Sequence, residues 1–166
     1  MGDFAAGKLI DGVVASEVFA ADFPQFIIDF ENAAEREGYD LSSLAGPAEE
    51  GLLGELIDKV GGHLPEMVGC LLRWHDGGVA IGEYFCFSVA QILDEMGKVS
   101  PPDLPIGADM DGTLLVIDTS SGTLATLEEG GALSPLNQTL GAFCGLFRDE
   151  LIGKHYTWAE GWVRNE

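Results

Sequence analysis

Residues 109–128 read DMDGTLLVIDTSSGTLATLE. Two short runs of β-favouring residues, TLLVID (113–118) and TLATLE (123–128), are separated by Thr119, Ser120, Ser121 and Gly122, and apolar runs of this length joined by four residues ending in glycine predict a β-hairpin. Downstream, Leu140, Phe143, Cys144, Phe147 and Leu151 recur at helical spacing, with Ser134 and Asn137 ahead of them as capping candidates, so a helix is expected to cover the sheet. Upstream, SPPDLP (100–105) reads as a proline-rich loop. Before it, the aromatic run EYFCF (83–87) reads as a strand, and Ser88 is placed to cap a brief helix through SVAQILDEM.

Further out the pattern turns helical. Val18, Phe19, Phe23, Phe26, Ile27 and Phe30 recur with acidic residues between them. Pro24 then suggests a short turn followed by a helix from about Pro24 to Glu37, ended by Gly38. A second helical segment, AEEGLLGELIDKV (48–60), stops at Gly61 and Gly62. A third, within LPEMVGCLLRWHDGG (64–78), places Met67, Cys70, Leu71 and Trp74 on one face. Pro65 suits its first turn, and Gly77 and Gly78 supply a left-handed stop. Helices, then antiparallel strands, then a helix indicate one α+β domain over residues 1–166, with no internal repeat or linker.

Composition narrows the function. Hydrophobic residues are 46% and charged residues 22% of the 166, close to the globular average, so a packed core is expected rather than disorder. Against 28 Asp and Glu stand only 8 Lys and Arg, a net charge of -20. Such a field repels nucleic-acid phosphates and anionic lipid and speeds association with basic surfaces. Cys70, Cys86 and Cys144 lie far apart among apolar neighbours, which suggests buried free thiols in a reducing compartment. The N-terminal MGDFAAGKLIDG has neither a basic nor an apolar leader region, and no apolar stretch is long enough to span a bilayer, so the expected location is cytoplasmic, with no membrane partner.

Chemistry-bearing motifs are few. Asp109, Asp111, Gly112 and Thr113 match the DxDGT of haloacid-dehalogenase-type phosphohydrolases, where the first Asp attacks phosphorus, the second is an acid/base and magnesium offsets the charge. That activity is the alternative to a binding role. It also requires a downstream Ser or Thr, a Lys and an acidic pair on further parallel strands. Only 53 residues follow Thr113, and Lys154 has no acidic pair after it. The competing reading is a tight β-turn at Asp111-Gly112. His63, His75 and His155 lack mutual metal-ligand spacing, so neither metal nor cofactor is expected. His75, at a helix C-terminus, has a sufficient structural role there. Trp158 and Trp162 are candidate partner anchors, and Trp74 on its apolar face reads as core.

From Leu64 to Leu151 the chain resembles the SUKH superfamily, which includes the yeast cell-wall assembly regulator and many bacterial immunity proteins against polymorphic toxins. The likeness rests on LPEMVGCLLRWHDGG beside the family's LPxxxxxFLxxxNGG, FCFSVAQIL beside FWSLEEI, the strand, turn and strand of PIGADMDGTLLVIDTSSGTLATL, and LGAFCGLFRDEL beside SFxxFLxxL. Asp76 stands in the usual Asn place, the aromatic after LP is missing and the Asp-Gly-Gly turn is reduced to Gly112. The resemblance implies helices packed on a mixed, mainly antiparallel sheet, no catalytic residue, and an immunity protein or regulatory scaffold that acts by protein binding. A basic toxin domain, such as a nuclease, suits the acidic field. Because the strands must bury their apolar side chains, the turns at 109–112 and 128–131 are expected at the rim, where Asp109, Asp111, Glu128 and Glu129 are the candidate partner-binding residues.

Overall fold

The computed structural model describes residues 8–10, 13–15, 23–62 and 64–165. In chain order the elements are β1 (Lys8–Ile10), β2 (Val13–Ala15), α1 (Phe23–Arg36), α2 (Glu50–Lys59), β3 (Leu64–Pro65), α3 (Glu66–Trp74), β4 (Ala80–Ile81), β5 (Tyr84–Cys86) and α4 (Val89–Glu95). There follow β6 (Asp103–Ala108), β7 (Leu114–Asp118), β8 (Thr123–Leu127), β9 (Leu133–Thr139), α5 (Leu140–Ile152), β10 (Tyr156–Trp158) and β11 (Trp162–Arg164). Single 3-10 turns sit at Leu41–Ser43 and Met96–Lys98. The residues ahead of Phe23 that carry the first periodic positions, Val18 and Phe19, lie outside the described residues, as does His63.

The hairpin read from the sequence is β7–β8, in register from Leu114↔Leu127 to Ile117↔Leu124. It lies inside a six-stranded sheet of order β4-β5-β6-β7-β8-β9, antiparallel at every step. Leu114 to Ile117 are all buried, with Leu115 and Ile117 joining the main core, because alternate residues of a strand face opposite sides and both sides of β7 are covered. The fold class is α+β as expected. The parallel pairing lies in a separate small sheet, where β2 runs alongside β3 (Val13↔Leu64) and antiparallel to β1.

Helical faces form the rest of the core. Phe23, Phe26 and Phe30 of α1 meet the Trp74 ring edge-on at 5.7 to 6.2 Å, and Arg36 Nη2–H donates to Leu151 O at 2.7 Å, tying α1 to α5. Helix α3 ends at Trp74 with His75 as an extended cap, so Gly77 and Gly78, both at φ +86, shape the loop after the helix rather than supply the left-handed stop expected. A Cβ on Gly77 would stand 2.5 Å from Ser88 N, so only glycine lets the chain pass so close to the next helix. Asp76 accepts from Val89 N–H at 2.9 Å, and Ser88 with Gln91 forms a reciprocal capping box on α4.

Several expectations are corrected. Ser134 and Asn137 do not cap α5: both lie in β9, which the edge of β8 recruits, and Thr139 is the cap, its hydroxyl accepting from Ala142 N–H at 3.2 Å. The segment SPPDLP is a loop only to Pro102. Asp103, Leu104 and Pro105 belong to β6, where Pro105 falls at a shift of register against β7 between Pro105 and Gly107, one of the places a strand accommodates proline. Helix α5 reaches the sheet through Phe143, 6.2 Å from Tyr84, while Phe147 packs against Phe30 of α1 at 6.2 Å. The chain after α5 forms a further hairpin, β10–β11. Trp158 stacks on Tyr39 at 4.1 Å, and the buried Trp162 donates Nε1–H to Ala80 O at 3.0 Å, so both hold that hairpin to the body rather than projecting toward a partner.

Candidate functional site

An antiparallel meander alternates its turns between two ends, so the β4–β5, β6–β7 and β8–β9 turns share one end of the sheet. Its first organiser is Asp109. One oxygen, Oδ1, accepts from the N–H groups of Asp111 and Thr113, each at 2.9 Å, while Asp109 N–H donates to Thr113 O at 3.0 Å. Gly112 completes the turn at φ +88, a conformation that L side chains rarely adopt. DxDGT is therefore a closed hairpin turn with its first carboxylate engaged by backbone and its second, Asp111, exposed.

The register Leu114↔Leu127 places the turn beginning at Glu128 beside this one. There Gly131 N–H donates to Glu128 O at 2.9 Å, Gly130 has φ +74, and Glu128 and Glu129 are exposed. The four carboxylates singled out from the sequence thus share one end of the sheet. Two more were missed. Glu83 sits on the β4–β5 turn beside Gly82, and Glu160 sits on the β10–β11 turn, both exposed. The latter turn adjoins the former ones, because a Cβ on Gly161 would stand 3.1 Å from Met110 Cε and 3.9 Å from Phe85 Cζ. The sequence shows Gly82-Glu83 as a turn signal, but no pattern brings Glu160 to Asp109 across the chain.

Two recesses open between these turns. One, of about 200 Å³, is lined by Glu83, Asp109 and Asp111 together with Phe85, Met110 and Trp162. The other, of about 610 Å³, runs past Lys98, Leu114 and Leu127 to Glu128 and Glu129. Its cation is already paired, Lys98 Nζ lying 3.1 Å from Glu95. The field of the first recess reaches Tyr84, whose phenol is pushed up by burial first and then by Glu83 and Asp109. A separate apolar recess beside His75, lined by Val68, Leu72, Ile92 and Phe143, measures about 20 Å³, room for a single water.

Other reactive groups are quiet. The cysteines are free; burial pushes the Cys86 thiol up to about 12 and the Cys144 thiol well above its usual range, and burial followed by Glu66 raises Cys70 to about 11. All three are therefore protonated at neutral pH. His75 Nδ1 lies 2.6 Å from Ala45 O, as a donor in the tautomer that satisfies both, so the ring fastens the end of α3 to the loop before α2. Among the described residues no group of three or more His, Cys, Asp and Glu side chains is arranged to hold a metal ion, and no helix is long and apolar enough to cross a membrane. No family model matches the chain, and no curated protein matches it.

Proposed function

We propose that this protein works by binding, as an immunity protein of the SUKH type that neutralises a basic toxin domain in the cytoplasm by covering it with the acidic end of its sheet. The observation that carries the reading is the gathering of Glu83, Asp109, Asp111, Glu128, Glu129 and Glu160 on four adjoining turns of a rigid scaffold. Carboxylates on ordered turns meet Lys and Arg with little loss of conformational freedom, and matched charge pairs at an interface contribute about 1.5 to 7 kcal/mol. The net charge of -20 adds long-range attraction that raises the association rate.

The test is co-expression with the toxic domain encoded by an adjacent reading frame. Wild type restores growth, and reversal of Glu83, Asp111, Glu128 and Glu129 to Lys, with circular dichroism unchanged, abolishes protection and the salt dependence of association. Protection unaffected by the reversal overturns the docking end, and a gene with no toxin-coding frame beside it overturns the immunity role.

A further inference from the structure

We infer that two copies of this chain meet through the outer face of β7, β8 and β9, an assignment independent of the docking reading above. Residues opposite each other in an antiparallel pair project to the same side of a sheet. The register therefore lines up Leu114, Leu127 and Leu133 in one row and Val116, Ala125 and Pro135 in the next. Both rows are apolar throughout. The intervening Leu115, Ile117 and Leu124 face the main core, whereas none of the six row residues belongs to it. An antiparallel sheet face left to water normally carries polar residues, so this one is built to be covered. Along the first row exposure rises from 5% at Leu114, through half-buried Leu127, to 41% at Leu133 on the edge strand. The cover that the chain itself provides thins out toward β9.

Charge selects the occupant. Residues 130–147 hold no Asp, Glu, Lys or Arg, the longest such run in a chain of net charge -20, and β9 lies wholly within it. Two copies that each carry this charge repel, and they can touch only where carboxylate does not oppose carboxylate. A basic partner finds no charge on β9 to pair with and is drawn to the carboxylate turns instead. A two-fold contact also needs a surface that complements itself. This face has both halves: Leu133 projects at its edge, and the recess of about 610 Å³ reaches Leu114 and Leu127 in the same row. Leu133 of each copy enters the recess of the other. The contact is made by side chains rather than by an added strand, because Pro135 has no N–H to donate and Asn137, at φ +57, interrupts the extended backbone of β9. Lys98, paired with Glu95, borders the recess together with Glu128 and Glu129, so some repulsion remains at its rim.

The experiment is sedimentation velocity on the full chain over a range of concentrations, at about 0.05 M and about 0.5 M salt. The 17.6 kDa monomer is expected to convert to a dimer as concentration rises. Its dissociation constant should be at least about tenfold lower at the higher salt, since screening weakens the repulsion between like-charged copies while the apolar contact remains. Binding of a basic partner at the acidic end changes with salt in the opposite sense, which keeps the two readings apart. Leu133→Gln, a neutral change at an exposed edge, should weaken the dimer about tenfold or more, the scale of a leucine lost from a buried contact. Ala125→Gln, which puts a polar side chain into the other row, should weaken it in the same way without touching Leu133. Leu146→Gln, at an exposed position of α5, should change it less than about twofold. A chain that is monomeric at every concentration and both salts overturns the assignment. So do a dimer indifferent to both row variants with circular dichroism unchanged, an equal loss in Leu146→Gln, and association that grows past the dimer.

Discussion

At one end of the six-stranded sheet Asp109 accepts N–H bonds from Asp111 and Thr113; at the other, Asp118 accepts them from Ser120 and Ser121, at 2.8 and 3.3 Å. The turn chemistry is the same, but the surroundings differ. Around Asp118 the turn residues are neutral and internally satisfied, and the one carboxylate beside it is Asp103, opposite in the strand register. Buried Thr119 gives both its hydroxyl and its N–H to Pro102 O, Ser121 Oγ lies 2.8 Å from Thr123 Oγ1, and Gly122 O accepts from Leu140 N–H at the start of α5. Around Asp109 the neighbours are carboxylates that point away from the fold: Glu83, Asp111, Glu128 and Glu129 are exposed. One carboxylate per turn suffices to build either end. The additional charge at the Asp109 end has no part in closing its turn, which is why its meaning is sought in a partner.

The comparison can be broken most forcefully at Gly107, just before the acidic turn. A side chain there would place Cβ 2.8 Å from Phe85 O, separating β5 from β6 and with them the turns bearing Glu83 and Asp109. Gly107→Val is expected to cost about 3 kcal/mol in denaturant unfolding. Gly112→Ala, with open space around it and only its φ of +88 to strain, should cost about 1 kcal/mol. Equal costs would mean that the two turns are not held together through the strand pairing.

At the opposite end, Thr119→Val removes a buried hydroxyl bonded to Pro102 O at 2.8 Å and should cost about 1 kcal/mol. Asp111→Asn, exposed at the acidic end, should stay within about 0.5 kcal/mol of wild type. A larger penalty for Asp111→Asn than for Thr119→Val would show that the acidic turn needs its second carboxylate to fold.

The smallest effect sharpens the contrast through pH. Asp103 stands opposite Asp118 in the β6–β7 register, and its carboxyl is raised by burial first and then by Asp118. A carboxyl raised in the folded state binds its proton more tightly there than in the unfolded chain. The stabilisation from protonation is therefore complete below the ordinary value of 3.8 and is lost as pH rises through the raised folded value. At pH 7 the charged pair opposes folding. Asp103→Asn should then stabilise by about 0.5 kcal/mol at pH 7 and by nothing measurable below pH 3.8, as seen in thermal unfolding at the two pH values. A gain that persists at low pH would point to some origin other than charge.

Local pattern made much of this fold legible. The run LLVID, the turn glycines at 112 and 122 and the Ser88 cap each act over a few residues, and each appears where the chain implies it. Elements that depend on distant partners were hidden. LSPLNQT is polar, contains Pro135 and resembles a pre-helical loop; it becomes β9 because β8 offers an open edge. YTW and WVR are too short to stand out as strands. They pair because Tyr39, Phe147 and Ala80, far away in sequence, supply the aromatic stack and the carbonyl that Trp158 and Trp162 need.

The candidate site divides in the same way. By itself the sequence determined the acidic charge, the α+β class, and that Asp109, Asp111, Glu128 and Glu129 would lie on turns, because turn propensity and strand burial are local consequences of residue type. Only the tertiary structure decided that those turns share one end of the sheet, that Glu83 and Glu160 join them, and that Phe85 and Trp162 line a recess between them. The parity of the meander and the docking of β10–β11 fix which turns become neighbours, and both are set by pairings between strands that no short stretch of sequence encodes.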